Sequence, residues 1–116
     1  MSIHRIEVGP RMSQAVVLNG AVYVAGQVAL ESPGASVADQ TRTVLARIDR
    51  LLAAAGSDKT KLVQATIWLT DISTFDEMNK VWDAWVAPGC TPARATVESK
   101  LAAPQFTVEI AVIAGL

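Results

Sequence analysis

Two charged side chains stand inside runs that otherwise read as β-strand. Arg94 lies in Ala93-Arg-Ala-Thr-Val97, and Glu109 in Thr107-Val-Glu-Ile-Ala-Val112. A charge in such a run is expensive to bury unless it is paired. A guanidinium offers a planar fork of N–H donors that matches a carboxylate at two points, so Arg94 asks for an anion. That anion could be Glu109, in a structural pair between neighbouring strands, or a bound ligand. Two solvated residues on an exposed face would need neither. Spacing alone favours the structural readings over the ligand.

Other candidates are weaker. Ala25-Gly26-Gln27 ends an apolar run, and a glycine there permits close backbone approach, so its N–H could meet an anion. A bulge or a tight strand end accounts for it better on sequence alone. Cys90 would need a base and an orienting group to act as a nucleophile. The single histidine, His4, lies at the opposite end of the chain and nothing ties it to Cys90. The thiol therefore reads as a spectator. One cysteine and one histidine cannot form a zinc cage, and one cysteine fits a reducing compartment. Trp68, Trp82 and Trp85 read as core or interface packing.

The elements that must position these groups follow from the pattern. Residues 3–8 suggest a first strand, and Asn19-Gly20 between β-rich runs at 14–18 and 21–28 predicts a tight hairpin. Pro33-Gly34 breaks the chain, and Ser36 with Asp39 marks a helix start. Val37, Thr41, Val44, Ile48, Leu51, Leu52 and Ala55 form its buried stripe, leaving Arg42, Arg47 and Asp49 wet, and Gly56 stops it. A strand over about 62–70 precedes a second helix over about 74–87, with Phe75, Met78, Trp82 and Trp85 on one stripe. Pro88-Gly89 ends that helix. Strands over about 93–99 and 105–114 close the chain.

This order implies an α+β fold with one mixed sheet and both helices on one face. Arg94, Thr96 and Glu98 alternate with small residues, as do Thr107 and Glu109 with Val108 and Ile110. The alternation places Arg94 and Glu109 together on a half-apolar second face, a surface suited to another subunit.

Length and composition exclude several classes. At 116 residues, with 51% hydrophobic and 18% charged side chains, the chain suits a single globular domain over 1–116. A net charge of -1 without a basic stripe argues against nucleic acid. No apolar run reaches a membrane span, and the charged N-terminal residues do not read as a signal peptide, so a cytoplasmic protein is expected.

Three stretches together resemble the reactive intermediate deaminases, the RidA or YjgF-like family. They are Ser13-Gln-Ala-Val16 with Val24-Ala-Gly-Gln-Val28, Asp71 through Phe75 to Met78-Asn79, and Thr91-Pro-Ala-Arg-Ala-Thr-Val97 with Val108-Glu-Ile110. The likeness runs from about residue 9 to the end. It implies a fold like the trimeric Bacillus-type chorismate mutases, with three clefts each lined by two chains. It further implies hydrolysis of 2-imino or enamine carboxylates to 2-oxo acids and ammonia without a cofactor. Arg94 would grip the substrate carboxylate, Gly26 would supply a backbone N–H, and Glu109 would position the attacking water. Asn79, Thr96, Met12 and Ala25 would line the substrate. The family often has tyrosine at Met12, serine at Ala25 and cysteine at Thr96, so substrate range is where this chain departs. A non-catalytic binding module for 2-oxo acids is the alternative; chorismate mutase or ribonuclease chemistry fits the motifs less well.

Overall fold

Asn19 and Gly20 both take positive φ, 51° and 75°, as a two-residue turn between right-twisted strands requires. In the computed structural model, which describes residues 2–116, they join β2 (Ser13–Leu18) to β3 (Ala21–Gln27), with β1 (His4–Val8) added outside. Helix α1 (Val37–Ala54) follows, then β4 (Leu62–Leu69), α2 (Phe75–Trp85), β5 (Ala93–Glu98) and β6 (Val108–Gly115). The six strands lie in the order β1-β2-β3-β6-β4-β5. All neighbours are antiparallel except β4 and β5, which run parallel because α2 carries the chain back across the sheet.

Ser36 caps α1, its hydroxyl accepting from the Asp39 N–H at 3.1 Å. Gly56 at φ 83° ends it. The expected stripe is buried from Val37 to Leu52, with Ala55 half-buried as the C-cap, and it is wider than the apolar spacing suggests because Leu45 and Gln40 join it. Arg47, expected in water, is instead drawn inward, with its side chain only 14% exposed. The cause is a buried acceptor, Gln27 Oε1, at 3.0 Å from Arg47 Nε.

The last strand begins three residues later than its sequence suggests. A side chain takes the place of ladder partners at Gln105 and at the Thr107 N–H: Gln40 Nε2 donates to the Gln105 and Ala35 carbonyls at 2.8 and 3.1 Å. Gln40 Oε1 accepts from the Thr107 N–H at 2.8 Å. The fully buried carboxamide therefore closes the β5–β6 connection onto α1.

Both helices cover one face, where Ala15, Val24, Ile67 and Ile110 meet Ile48 and Met78 in the core. Among the described residues no element covers the other face, which presents Tyr23, Thr66, Trp68, Ala111 and Ile113. Among the described residues no helix is long and apolar enough to cross a membrane.

The expected sharing of a face by Arg94 and Glu109 is corrected by strand register. On β4, Ala65 and Ile67 are buried against the helices, and their partners on β5 are Arg94 and Thr96. Glu109 is paired instead with Trp68, on the uncovered face. Alternation along β5 separates two faces but does not say which one meets the helices; the parallel pairing with β4 decides it.

Replacing Gln40 with leucine strands the Thr107 N–H and the Ala35 carbonyl, while the Gln105 carbonyl keeps only the Gly34 N–H. Gln40→Leu should cost about 2–3 kcal/mol in urea unfolding at fixed protein concentration; an unchanged midpoint would contradict the role given to this side chain.

Candidate active site

Arg94 is half-buried beneath α2. Its Nη1 donates to Asn79 Oδ1 at 2.8 Å, and the guanidinium carbon lies 5.2 Å from the Trp82 ring centroid and 5.8 Å from that of Phe75. Phe75, Asn79 and Trp82 stand at i, i+4 and i+7 on the helix, so one face of α2 holds the cation. Ring faces attract a cation without neutralising it. Among the described residues no carboxylate lies within ion-pairing distance of Arg94; the ion pairs involve Arg42, Arg47 and Arg50. Two residues along the same face, Thr96 Oγ1 is buried without a hydrogen-bond partner. A cation and a hydroxyl thus share one face, both with capacity to spare.

Glu109 builds the second half. An ideal Cβ placed on Gly26 would sit 2.1 Å from Glu109 Oε2, so the carboxylate lies across the bare backbone of this glycine. Any larger residue would displace it. Burial pushes the Glu109 carboxyl above its ordinary pKa. Ala25 and Gly26 fall where the β3–β6 register shifts: Val24 pairs with Val112 and Gln27 with Ile110, leaving two residues opposite Ala111. The expected bulge is present, and it is at the carboxylate. Ala15 pairs with Val24, so the exposed Met12 just ahead of β2 flanks the Gly26 end of β3.

The two halves do not meet within one chain. Strand β4 separates β5 from β6, a lateral distance of roughly 10 Å, and three residues of β4 separate the levels of Arg94 and Glu109, roughly another 10 Å. Their side chains also leave opposite faces of the sheet. A structural ion pair between neighbouring strands is therefore ruled out, and so is a single-chain cleft holding both. Arg94 and Asn79 come together, as do Glu109, Gly26 and Ala25.

Some features outside this set were not anticipated. Phe75 and Trp82 read as core stripe; Trp82 is in the core and Phe75 is exposed, and the contact of both rings with Arg94 is the added feature. Trp68, read as core or interface packing, lies beside Glu109 on the uncovered face. Cys90 is half-buried in the loop before β5, and exposed His4 is on β1, at the other edge of the sheet. Among the described residues no three His, Cys, Asp or Glu side chains gather as a metal would need. A groove of about 470 Å³ runs between α1 and α2, lined by Leu45, Val81 and Trp85, and includes neither Arg94 nor Glu109.

Comparison with known proteins agrees with this architecture. The family described as endoribonuclease L-PSP matches residues 2–116. A RutC family protein of Haemophilus ducreyi is 40% identical, covering 98% of this chain and 97% of that one. The 2-iminobutanoate/2-iminopropanoate deaminase of Rattus norvegicus is 32% identical, covering 88% and 77%. Among solved structures, a YjgF family member from Neisseria meningitidis has a TM-score of 0.95 at 49% identity, covering 99% and 95%. With likeness over nearly its whole length in both sequence and backbone, the chain belongs to the RidA/YjgF-like family.

Proposed function

We propose that this protein hydrolyses small 2-imino or enamine carboxylates to 2-oxo acids and ammonia, in clefts between the subunits of a homotrimer. The observation that carries the reading is Arg94: half-buried, held by aromatic rings and Asn79, and without a carboxylate partner among the described residues. A guanidinium in that setting suits a planar anion from outside the chain. Because Glu109 leaves the opposite face, one subunit contributes Arg94, Asn79 and Thr96 to a cleft and its neighbour contributes Glu109, Gly26, Ala25 and Met12. The uncovered sheet face, with Tyr23 46% exposed, and the bare apolar side of edge strand β5, with Val97 44% exposed, supply surface for that association. The named activity of the rat relative favours the same chemistry.

The substrate carboxylate docks on Arg94, with the Thr96 hydroxyl available as a further donor. This places C2 of the iminium beside Glu109 of the neighbour. Water adds to C2 as the C=N electron pair moves to nitrogen. Glu109 accepts a proton from that water and passes it to nitrogen. Glu109, a carboxylate again, takes the remaining proton from the C2 hydroxyl as the carbonyl forms and the C2–N bond breaks, releasing the 2-oxo acid and ammonia, which carries that proton away as ammonium. A carboxyl held above its ordinary pKa is better matched to this exchange than a fully solvated one. Ribonuclease chemistry has less support, since His4 is three strands from β6 and the net charge is -1.

A coupled assay tests the proposal, with an amino-acid oxidase generating imines in situ while 2-oxo acid formation is followed. Wild type should accelerate formation and Arg94→Ala should lose both turnover and 2-oxo acid binding. Glu109→Gln should keep binding while turnover falls roughly 10²–10⁴-fold. No acceleration with any imine would return the protein to the binding-module reading.

The raised pKa of Glu109 gives a second test with a defined sign. The base form is lost at higher pH than for an ordinary glutamate, so the acid limb of kcat/KM should lie above the usual carboxylate range. The fold favours the neutral carboxyl, a contribution present at low pH and lost as pH rises through the raised pKa. Glu109→Gln should therefore melt above wild type near about pH 8, with the gap closing near about pH 4. A gap that widens in acid would contradict the assignment.

A further inference from the structure

Strand β3 contains a buried polar side chain that the hydrolysis does not use. Gln27 is 1% exposed, and its carboxamide is fully engaged. Nε2 donates to the Ala25 carbonyl and to Gln14 Oε1, both at 2.9 Å. Oε1 accepts from Arg47 Nε at 3.0 Å, and Arg47 Nη1 reaches Glu31 Oε2 at 2.6 Å. Arginine has donors only, so the oxygen of the carboxamide must face Arg47. Its NH₂ group must then face Ala25. The polarity of the carboxamide is set from the helix, not from the strand.

The Ala25 carbonyl belongs to the same peptide unit as the Gly26 N–H. In a trans peptide these two groups point in opposite directions. This peptide sits at the bulge, where regular ladder pairing is interrupted and its orientation is less constrained than that of its neighbours. A hydrogen bond gripping the carbonyl from the Gln27 side therefore aims the Gly26 N–H the other way. The geometry points to Gln27 and Arg47 as positioning residues that orient the Gly26 N–H for an anionic ligand, an inference that rests on the function proposed above. Reversing the carboxamide would set two oxygens against each other and release the peptide. Arg47 thus acts at the site through two hydrogen bonds, from a position on α1.

Two readouts test this, one of them without ligand. Loss of its hydrogen bond should move the ¹³C resonance of the Ala25 carbonyl upfield in Arg47→Met and further in Gln27→Glu, which keeps the contact to Arg47 but replaces the donor. Binding of 2-oxobutanoate should weaken roughly 10-fold in Arg47→Met. Arg47→Lys, which retains a donor to Gln27 Oε1, should restore both readouts, with affinity within about twofold of wild type. Wild type that binds no 2-oxobutanoate would overturn the reading of the site itself. Wild type that binds, with either readout unmoved in Arg47→Met or with Arg47→Lys as impaired as Arg47→Met, would overturn the relay alone.

Discussion

The parallel register of β5 on β4 is the constraint on which the rest depends. By pairing Arg94 with Ala65 it turns the guanidinium under α2, while antiparallel pairing of β6 with the same strand leaves Glu109 on the uncovered face. A single intervening strand thus divides cation from carboxylate. Neither group can neutralise the other within the chain, and each retains capacity that a structural pair would have consumed.

The packing around each group reinforces that division. Phe75 and Trp82 attract Arg94 through their ring faces, and Asn79 takes one N–H. The remaining donors of the fork stay available in a partly desolvated setting, where a charge-assisted hydrogen bond is strong. Across the sheet, Gly26 lets the Glu109 carboxylate lie against backbone, and burial there favours the proton-bearing form. The sheet face that carries Glu109 also carries Tyr23 and Trp68, which no element among the described residues covers. In the proposed assembly, site and surface are one problem: a second copy that buried the apolar face would also bring its half-site near.

Much of this was legible in the residues. Asn19-Gly20 specified the hairpin because few pairs tolerate positive φ at both central positions. Ser36, the apolar spacing of α1 and Gly56 gave that helix its bounds. Arg94 and Glu109 stood out because charges are costly in apolar strands. What the residues could not give was side: a period of two defines two faces without assigning either to the helices, and a non-local pairing made the choice. The inward turn of Arg47 and the late start of β6 were hidden for a related reason. Both are set by buried carboxamides, Gln27 and Gln40, whose partners lie 20 and 65–67 residues away in sequence. Polar residues pattern as surface until such a partner is known.

Mixed assemblies test the central claim most directly. Arg94→Ala and Glu109→Gln chains, each inactive alone, would be co-expressed in equal amounts and purified as mixed oligomers. If every cleft draws its arginine and its glutamate from different copies arranged in a ring of three, each mixed oligomer regains one complete cleft, and activity should return to about one third of wild type. Mixed oligomers as inactive as either parent would contradict the account.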